Sequence, residues 1–249
     1  MGISIKSDAD IAAMRQAGRV VATVLEVLKL QVKPGMKTKE LDAIAAKEVA
    51  RLGATPSFKG YRGFPANICA SVNDEIVHGI PGDRILEEGD IISLDFGAIF
   101  DGFQGDAAIT VGVGEITPAA RKLIETTDGA LKAGIAAVRH GARLGDIGAT
   151  IQAYAESRGY SVVREYTGHG IGREMHEDPL VPNFGESGTG PVLQKGMTIA
   201  IEPMVNVGDW RTKVGANRWT VSTVDGSLSA HFEHTVAVTN GTAEVLTAL

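Results

Sequence analysis

The spacing of hydrophobic residues predicts two pairs of helices, one in each half of the chain. Apolar side chains recur at near-helical intervals over residues 7–30, and a second helix begins with Thr38 as its cap and ends at Gly53. The same arrangement follows Pro118, where two further helices end at Gly159. Each half is therefore expected to begin with two helices.

Apolar runs after each helical pair predict strands that end on a carboxylate. GDIISLD at Gly89–Asp95 and GMTIAIE at Gly196–Glu202 each combine a turn signal with a half-buried strand. The two segments align at an offset of 107 residues (196 − 89), and the helical pairs at 106 (141 − 35). Glycine followed by a strand also recurs by chance, but the pattern favours a duplication with half-repeats at about 7–113 and 117–245 and a site between them.

Length and composition narrow the class of protein. A chain of 249 residues with 44% hydrophobic content predicts one domain, residues 1–249, with a sizeable core. The net charge of −6 and the lack of basic runs disfavour nucleic acid and membranes as partners. The polar start lacks the apolar core of a signal peptide, and the single Cys69 is typical of a reducing compartment. We therefore expect a cytoplasmic location and a small ligand.

A predicted hairpin brings two aspartates together. In DFGAIFDGFQGD, Asp101-Gly102 is a strong signal for a two-residue turn, which would place Asp106 opposite Gly97. Side chains two apart on a strand share a face, so Asp95 and Asp106 would be diagonal neighbours. A three-residue loop would turn one of them away, and solvated strand carboxylates are the alternative interpretation. Aspartate is nevertheless disfavoured in a buried strand, which favours a functional pair.

Two histidines lie in a glycine-rich segment. GHGIGREMHEDP places His169 and His176 seven residues apart among three glycines, which is too irregular for one helix face. A loosened strand or loop fits better. Such a segment allows one imidazole to bind a metal and the other to face a substrate.

Two glutamates end or begin strands near the C-terminus. Glu202 follows an apolar strand and precedes Pro203, which favours extended backbone at Glu202. In SAHFEHTVAV, strand alternation puts His231 and Glu233 on one face. Glu233 could therefore enter the site, with His231 as a ligand, as a hydrogen-bonding partner of the ligands, or as a merely polar neighbour; we favour the partner.

Together these residues form an oxygen-rich set of candidate metal ligands. Four carboxylates gathered in one site would repel each other unless cations neutralise them, and two divalent ions would balance four negative charges. One imidazole among carboxylates is unlike a structural zinc site and suits catalytic Mn²⁺, Fe²⁺, Co²⁺ or Zn²⁺. The predicted ligands are Asp95, Asp106, His169, Glu202 and Glu233.

Five motifs in order resemble the type I methionine aminopeptidases nearly end to end. They are NDEIVHGIP, LDFGAIFDGFQGD, TGHGIGREMHEDP, GMTIAIEPMV and SLSAHFEHTVAV. The resemblance implies an α+β class and the pita-bread fold, with two pseudo-twofold-related halves around a central antiparallel sheet. It also implies a metal-dependent hydrolase that removes the initiator methionine from nascent proteins when the second residue is small.

The resemblance implies a role for each ligand. Asp106 and Glu233 would bridge two divalent ions, Asp95 would complete one coordination sphere, and His169 with Glu202 would complete the other. A hydroxide shared by the ions would attack the carbonyl group after the methionine, and Glu202 would carry its proton.

The resemblance also implies substrate contacts. His176 would stabilise the oxyanion, and His78 would lie near the scissile amide. We expect a monomeric protein that acts on nascent chains, with the ribosome as a candidate partner. The residues expected around the methionine side chain are Tyr61, Phe64, Cys69, Met175 and Trp219.

Two alternatives remain open from the sequence. Proline-specific exopeptidases share the five-ligand site but usually carry an N-terminal domain of more than a hundred residues, and only some sixty residues precede the catalytic motifs here. A metal-free pita-bread module that binds peptides would have lost ligands, whereas all five stand in this chain.

Overall fold

A computed structural model describes residues 2–249 and contains four helices, a short 3₁₀ helix and fifteen strands in that part of the chain. The helices are α1 (Asp8–Gln31), α2 (Thr38–Arg51), α3 (Pro118–Ala137) and α4 (Leu144–Glu156), and the 3₁₀ helix spans Tyr61–Gly63. The strands are β1 (Thr55–Pro56), β2 (Cys69–Val72), β3 (Glu75–Val77), β4 (Ile91–Phe100), β5 (Phe103–Gly112), β6 (Ser161–Val162), β7 (Gly168–Gly170), β8 (Glu177–Val181), β9 (Thr198–Ile201), β10 (Met204–Asn206), β11 (Thr212–Val214), β12 (Val221–Thr223), β13 (Ser229–His231), β14 (Glu233–Ala237) and β15 (Glu244–Val245).

The helices begin close to the predicted positions, with one correction. The side chain of Ser7 accepts a hydrogen bond from the backbone of Asp10 at the start of α1, as a cap does. Thr38 is the first residue of α2, not its cap, which is Lys37. The reason is tertiary: the Thr38 hydroxyl accepts the backbone N–H of Gly82 at 2.8 Å and is no longer free to cap the helix.

The largest sheet is antiparallel and joins the two halves of the chain. It has nine strands in the order β1-β4-β5-β14-β9-β7-β8, with β2 beside β4 and β15 beside β14. Two three-stranded sheets, β13-β10-β6 and β11-β12-β3, flank it. The first-half hairpin β4-β5 therefore lies next to the second-half strand β14, which brings residues distant in sequence onto one surface.

Strand alternation separates the core from the opposite face of the central sheet. Leu94 and Phe96 are fully buried in a core cluster with residues of α1 and α2, and Asp95 between them points the other way. A second cluster joins α3 and α4 mainly to strands of the same, second half of the chain. Helices thus cover one face of the sheet, and the polar residues collect on the other.

Very close packing brings α1 onto the sheet. A Cβ added to Gly18 would lie 2.1 Å from the backbone oxygen of Leu246, and one added to Gly105 of β5 would lie 2.9 Å from the Gly18 nitrogen. Only glycine fits at such backbone approaches.

No helix within residues 2–249 is long and apolar enough to cross a membrane.

Candidate functional site

The β4-β5 hairpin positions the first two acidic residues. Asp101 and Gly102 form its turn, both with positive φ, and Gly97 pairs with Asp106 as predicted. Asp95 pairs with Ala108, two residues after Asp106, so both aspartates lie on the same face of the sheet. The two-residue turn therefore decides that these carboxylates meet.

Neighbouring strands bring the other three candidate ligands to the same face. Glu233 of β14 pairs with Ala108 from the side opposite to Asp95, so the methyl group of an alanine separates two carboxylates. His169 of β7 pairs with Ala200 of β9, and Glu202 lies two residues after Ala200 and shares its face. Small residues between the polar ones leave room above the sheet.

The ligand atoms converge within a few ångströms. One ligand atom each from Asp106, His169 and Glu233 lies within 4.8 Å of the others. His169 Nε2 is 3.7 Å from Glu202 Oε1 and 4.0 Å from Asp106 Oδ2. All but Glu202 are buried, and Glu202 is only partly exposed. The arrangement is a cluster of carboxylates with little access to bulk water.

Burial and mutual repulsion raise the pKa values of these carboxylates. Burial raises the pKa of Asp95 to about 7. Burial, followed by the charges of Glu233 and Asp95, places the pKa of Asp106 well above its ordinary range. The pKa values of Glu202 and Glu233 are raised well above the usual value by burial and by neighbouring carboxylates. Within residues 2–249 the groups paired with these carboxylates are His169 and His231, whose own pKa values are lowered by burial, so no protein cation neutralises the cluster there and metal ions are favoured.

The donor set fits divalent metal ions. Asp95 Oδ1, Asp106 Oδ1 and Glu233 Oε1 are buried and find no hydrogen-bond partner among residues 2–249. His169 Nδ1 lies 2.8 Å from the Gly170 carbonyl oxygen, to which it donates, so Nε2 is left with its lone pair toward the carboxylates. Burial lowers the pKa of His169 to about 4, which keeps this ligand neutral. Unsatisfied carboxylate oxygens beside a free imidazole nitrogen are what a metal site requires.

His231 lies behind the carboxylates. Its Nε2 is 3.9 Å from Glu202 Oε2 and 4.0 Å from Glu233 Oε2, and its side chain is buried. Neither ring nitrogen has a hydrogen-bond partner within residues 2–249. His231 therefore lies next to two candidate ligands without a hydrogen bond to either, and its role as their partner stays a prediction.

All predicted site residues lie around one cavity of about 140 Å³. The five candidate ligands form one part of its wall, and His78 and His176 another. The predicted pocket residues that complete it are Tyr61, Phe64, Cys69, Met175 and Trp219. The ring of Phe64 meets that of Trp219 edge-on, with centroids 5.1 Å apart.

Two further residues line this cavity that sequence reasoning missed. Phe58 packs edge-on against Phe64 with centroids 6.5 Å apart, and Arg62 lies in the 3₁₀ turn with a φ of 49°. The sequence signal for Arg62 was its place between Gly60 and Gly63 in a glycine-framed turn. For Phe58 the sequence contained no signal beyond hydrophobicity.

A larger cavity of about 660 Å³ adjoins the first and shares part of its wall. The residues common to both cavities are Arg62, His78, His169, His176 and Glu202. The small cavity can therefore hold one side chain while an attached chain extends into the larger one. This geometry suits a peptide that is bound by its end.

The histidines that border both cavities stay neutral. Burial lowers the pKa of His78, and burial together with His169 lowers that of His176 to about 3. His78 has a φ of 60°, and its ring meets those of Tyr166 and Trp219 edge-on. The left-handed backbone at His78 is an uncommon conformation that functional sites often hold.

Sequence comparison identifies relatives over almost the whole chain. A model of metallopeptidase family M24 matches residues 12–240. The chain is 54% identical to a methionine aminopeptidase of Clostridium acetobutylicum over 246 residues, covering 98% of both chains. It is 51% identical to methionine aminopeptidase 1 of Bacillus subtilis over 245 residues, covering 98% of this chain and 99% of the relative.

Structure comparison also gives a higher similarity to a methionine aminopeptidase than to a dipeptidase. A methionine aminopeptidase structure from Thermotoga maritima superposes with a TM-score of 0.98 at 45% identity, over 100% of both chains. An Xaa-Pro dipeptidase from Bacillus anthracis superposes with a TM-score of 0.79 at 26% identity, over 98% of this chain and only 61% of the dipeptidase. The mixed helix and antiparallel-sheet architecture is the pita-bread fold expected from the sequence.

Proposed function

The chain belongs to metallopeptidase family M24, and we propose that it is a methionyl aminopeptidase that removes the initiator methionine when the second residue is small. One observation supports this most directly: a small, mainly apolar cavity adjoins the carboxylate cluster and opens beside a larger one. A methionine side chain suits the first cavity, and the remaining peptide suits the second. The full-length similarity to methionine aminopeptidases gives independent support.

We propose that the chain's own residues would meet the metal requirement of the family. We propose that the five candidate ligands, Asp95, Asp106, His169, Glu202 and Glu233, would hold two divalent ions (Co, Mn, Fe or Zn). When bound, the ions would supply Lewis-acid polarisation and lower the pKa of water. The unpartnered oxygens of Asp95, Asp106 and Glu233 support this assignment.

The other groups would bind the substrate and move protons. The Glu202 carboxylate, partly exposed at the border of both cavities, would accept the proton of the attacking water. His176 would donate a hydrogen bond to the carbonyl oxygen as negative charge develops there. His78, which also borders both cavities, would bind near the scissile amide. The free amino group of the substrate would bind at the metal site as a neutral amine, which would explain why only the terminal residue is removed.

The methionine side chain would be enclosed by aromatic and sulfur-containing groups. Phe64, Cys69 and Met175 are buried, whereas Tyr61 and Trp219 are partly exposed at the cavity wall. A thioether contacts aromatic rings favourably and needs no hydrogen bond. Polar side chains at the first position would lose hydration without compensation.

Peptide hydrolysis tests the proposal. The metal-loaded protein should release methionine from Met-Gly-Met-Met and leave X-Pro dipeptides intact, and Asp106→Ala should abolish this activity. Asp83→Ala, which changes an aspartate on the surface, is the matched control and should keep it. Preferential cleavage of the proline bond, a metal-free active protein, or full activity in Asp106→Ala would each reject the proposal.

The alternatives have weaker support. The prolidase-type relative aligns over only 61% of its length, while the methionine aminopeptidases align end to end. A binding module is disfavoured because all five candidate ligands line one cavity, and ligand atoms of Asp106, His169 and Glu233 converge within 4.8 Å. Activity measured anaerobically with Co²⁺, Mn²⁺, Fe²⁺ and Zn²⁺ would identify the metal.

The proposed substrate indicates the location and the partners of the protein. We propose a monomeric enzyme of one domain, residues 1–249, that works in the cytoplasm on nascent chains near the ribosome. The half-repeats at about 7–113 and 117–245 remain a prediction. Size-exclusion chromatography and ribosome cosedimentation would test the monomer and the ribosome contact.

A further inference from the structure

Tyr61 makes a specific contact with the histidine expected to stabilise the oxyanion. Its hydroxyl oxygen lies 2.8 Å from His176 Nδ1, across 115 residues of sequence. The two rings are stacked, with centroids 5.4 Å apart and planes inclined by 18°. The contact therefore combines a hydrogen bond with nearly parallel ring planes, which together restrict the orientation of the imidazole.

The chemistry of the pair decides which atom donates. The lone pairs of a phenol oxygen are partly delocalised into its ring, whereas the imine nitrogen of a neutral imidazole is a good acceptor. The favoured arrangement is thus O–H of Tyr61 donating to Nδ1 of His176. A neutral imidazole carries a single N–H, so an acceptor at Nδ1 leaves the proton on Nε2.

The second ring nitrogen is then the only donor that His176 can offer. Within residues 2–249 no hydrogen bond of His176 other than that with Tyr61 is present, so Nε2 is free for a ligand. His176 lines both cavities, at the point where a peptide carbonyl group would pass from one to the other.

The backbone around Tyr61 is organised to hold the hydroxyl in place. The Tyr61 N–H donates to the Phe58 carbonyl at 2.9 Å, and the Phe64 N–H donates to the Tyr61 carbonyl at 2.9 Å. Gly60 closes the loop with a bond from its N–H to the Phe64 oxygen at 2.8 Å. The guanidinium of Arg62 lies 5.3 Å from the centre of the Tyr61 ring. A side chain on such a supported turn loses little further entropy when it positions a neighbour.

We propose that Tyr61 is a positioning residue for catalysis: its hydroxyl holds His176 in the tautomer that presents Nε2–H to the substrate carbonyl oxygen. This deepens the proposed function and depends on it. It also differs from the expectation that Tyr61 serves only as a wall of the methionine pocket. A wall residue acts through its ring, whereas a positioning residue acts through its hydroxyl.

Steady-state kinetics of Tyr61→Phe separate the two roles, because phenylalanine keeps the ring and removes the hydroxyl. We expect kcat on Met-Gly-Met-Met to fall about tenfold, the effect of losing one hydrogen bond, while KM stays within about twofold. Tyr160→Phe, a partly buried tyrosine outside the cavities, is the matched control and should leave both constants unchanged. A rise in KM with unchanged kcat would show a wall residue and overturn the proposal.

A double-mutant cycle tests whether the hydroxyl acts through His176. In a His176→Gln background, Tyr61→Phe should have almost no further effect, because the imidazole that it positions is gone. An equal loss in both backgrounds would refute the proposal.

Nitrogen-15 spectra provide a readout that does not depend on activity. The chain has six histidines, and His176→Gln assigns the signal of interest. In the Zn²⁺-loaded protein we expect an unprotonated Nδ1 and a protonated Nε2 at His176, with this preference lost in Tyr61→Phe. A protonated Nδ1 in the unmodified protein would overturn the proposal. If the protein released no methionine, the proposed function would fail, yet the spectra would still decide the tautomer.

Discussion

The charge of the buried cluster predicts that a conservative change at Asp95 stabilises the metal-free protein while it destroys activity. The variant is Asp95→Asn, which keeps the shape of the side chain and removes its charge. Asp95 is only 9% exposed, and burial raises its pKa from 3.8 to about 7. The carboxylate is therefore costly in the folded chain whenever no metal neutralises it.

The sign and size of the stability change follow from the linkage between protonation and folding. Because the folded pKa lies above the unfolded one, the stability that the neutral carboxyl provides is complete below about pH 4 and is lost as the pH rises through 7. A shift from 3.8 to about 7, at roughly 1.4 kcal/mol per unit, amounts to about 4 kcal/mol at pH 8. Water that enters the metal-free site reduces this destabilisation, so the calculated energy is an upper bound. Asparagine avoids the cost, and Tm of the variant should exceed that of the parent by up to roughly 10 °C.

Thermal unfolding from pH 2 to 8 measures the effect, first in chelator and then with Mn²⁺. In chelator the gap between variant and parent should open with rising pH, and with Mn²⁺ it should close or reverse, because the variant lacks a ligand. Asp83→Asn is a control of opposite sign, since hydrogen bonds from Lys39 and Lys37 lower the pKa of Asp83 to about 2. The ionised carboxylate of Asp83 stabilises the parent above pH 4, and this stabilisation is lost as the pH falls toward 2. Identical pH profiles for Asp95→Asn and the parent in chelator would refute the reasoning.

Two further predictions concern packing around the site. Gly18→Ala should cost about 2 kcal/mol, because its new Cβ would lie 2.1 Å from the Leu246 oxygen and this strain outweighs the gain in helix propensity. Gly82→Ala, whose nearest atom is 3.9 Å away, is the neutral control in the same urea titration, and equal midpoints would contradict the packing argument. Lys6→Met should cost roughly 3 kcal/mol, since it leaves the carboxylate of Glu177 without its 2.5 Å partner in a pair whose side chains are only 7% and 16% exposed. Adding Glu177→Gln should restore most of that loss, and a double variant as unstable as Lys6→Met alone would count against the ion pair.

Local rules were enough to predict the elements and the candidate ligands. Helical periodicity and Ser7 located α1, and the Asp101-Gly102 turn decided that Asp95 and Asp106 share a face. These predictions succeed because a turn or a helical cap involves only a few neighbouring residues. The assignment of Thr38 as a cap failed because Gly82, remote in sequence, occupies its hydroxyl.

By itself, then, the sequence determined the class of fold, the family and the types of group in the candidate site. Only the tertiary structure decided how those groups meet. The contact of Tyr61 with His176 spans 115 residues, and that of Lys6 with Glu177 spans 171. Such contacts depend on the order of strands in the sheet and on the loops that cross its edge, and no local pattern of hydrophobic or polar residues specifies them. For this reason the family resemblance implied only that Tyr61 lies at the methionine pocket, whereas the folded chain shows that its hydroxyl contacts the imidazole of His176.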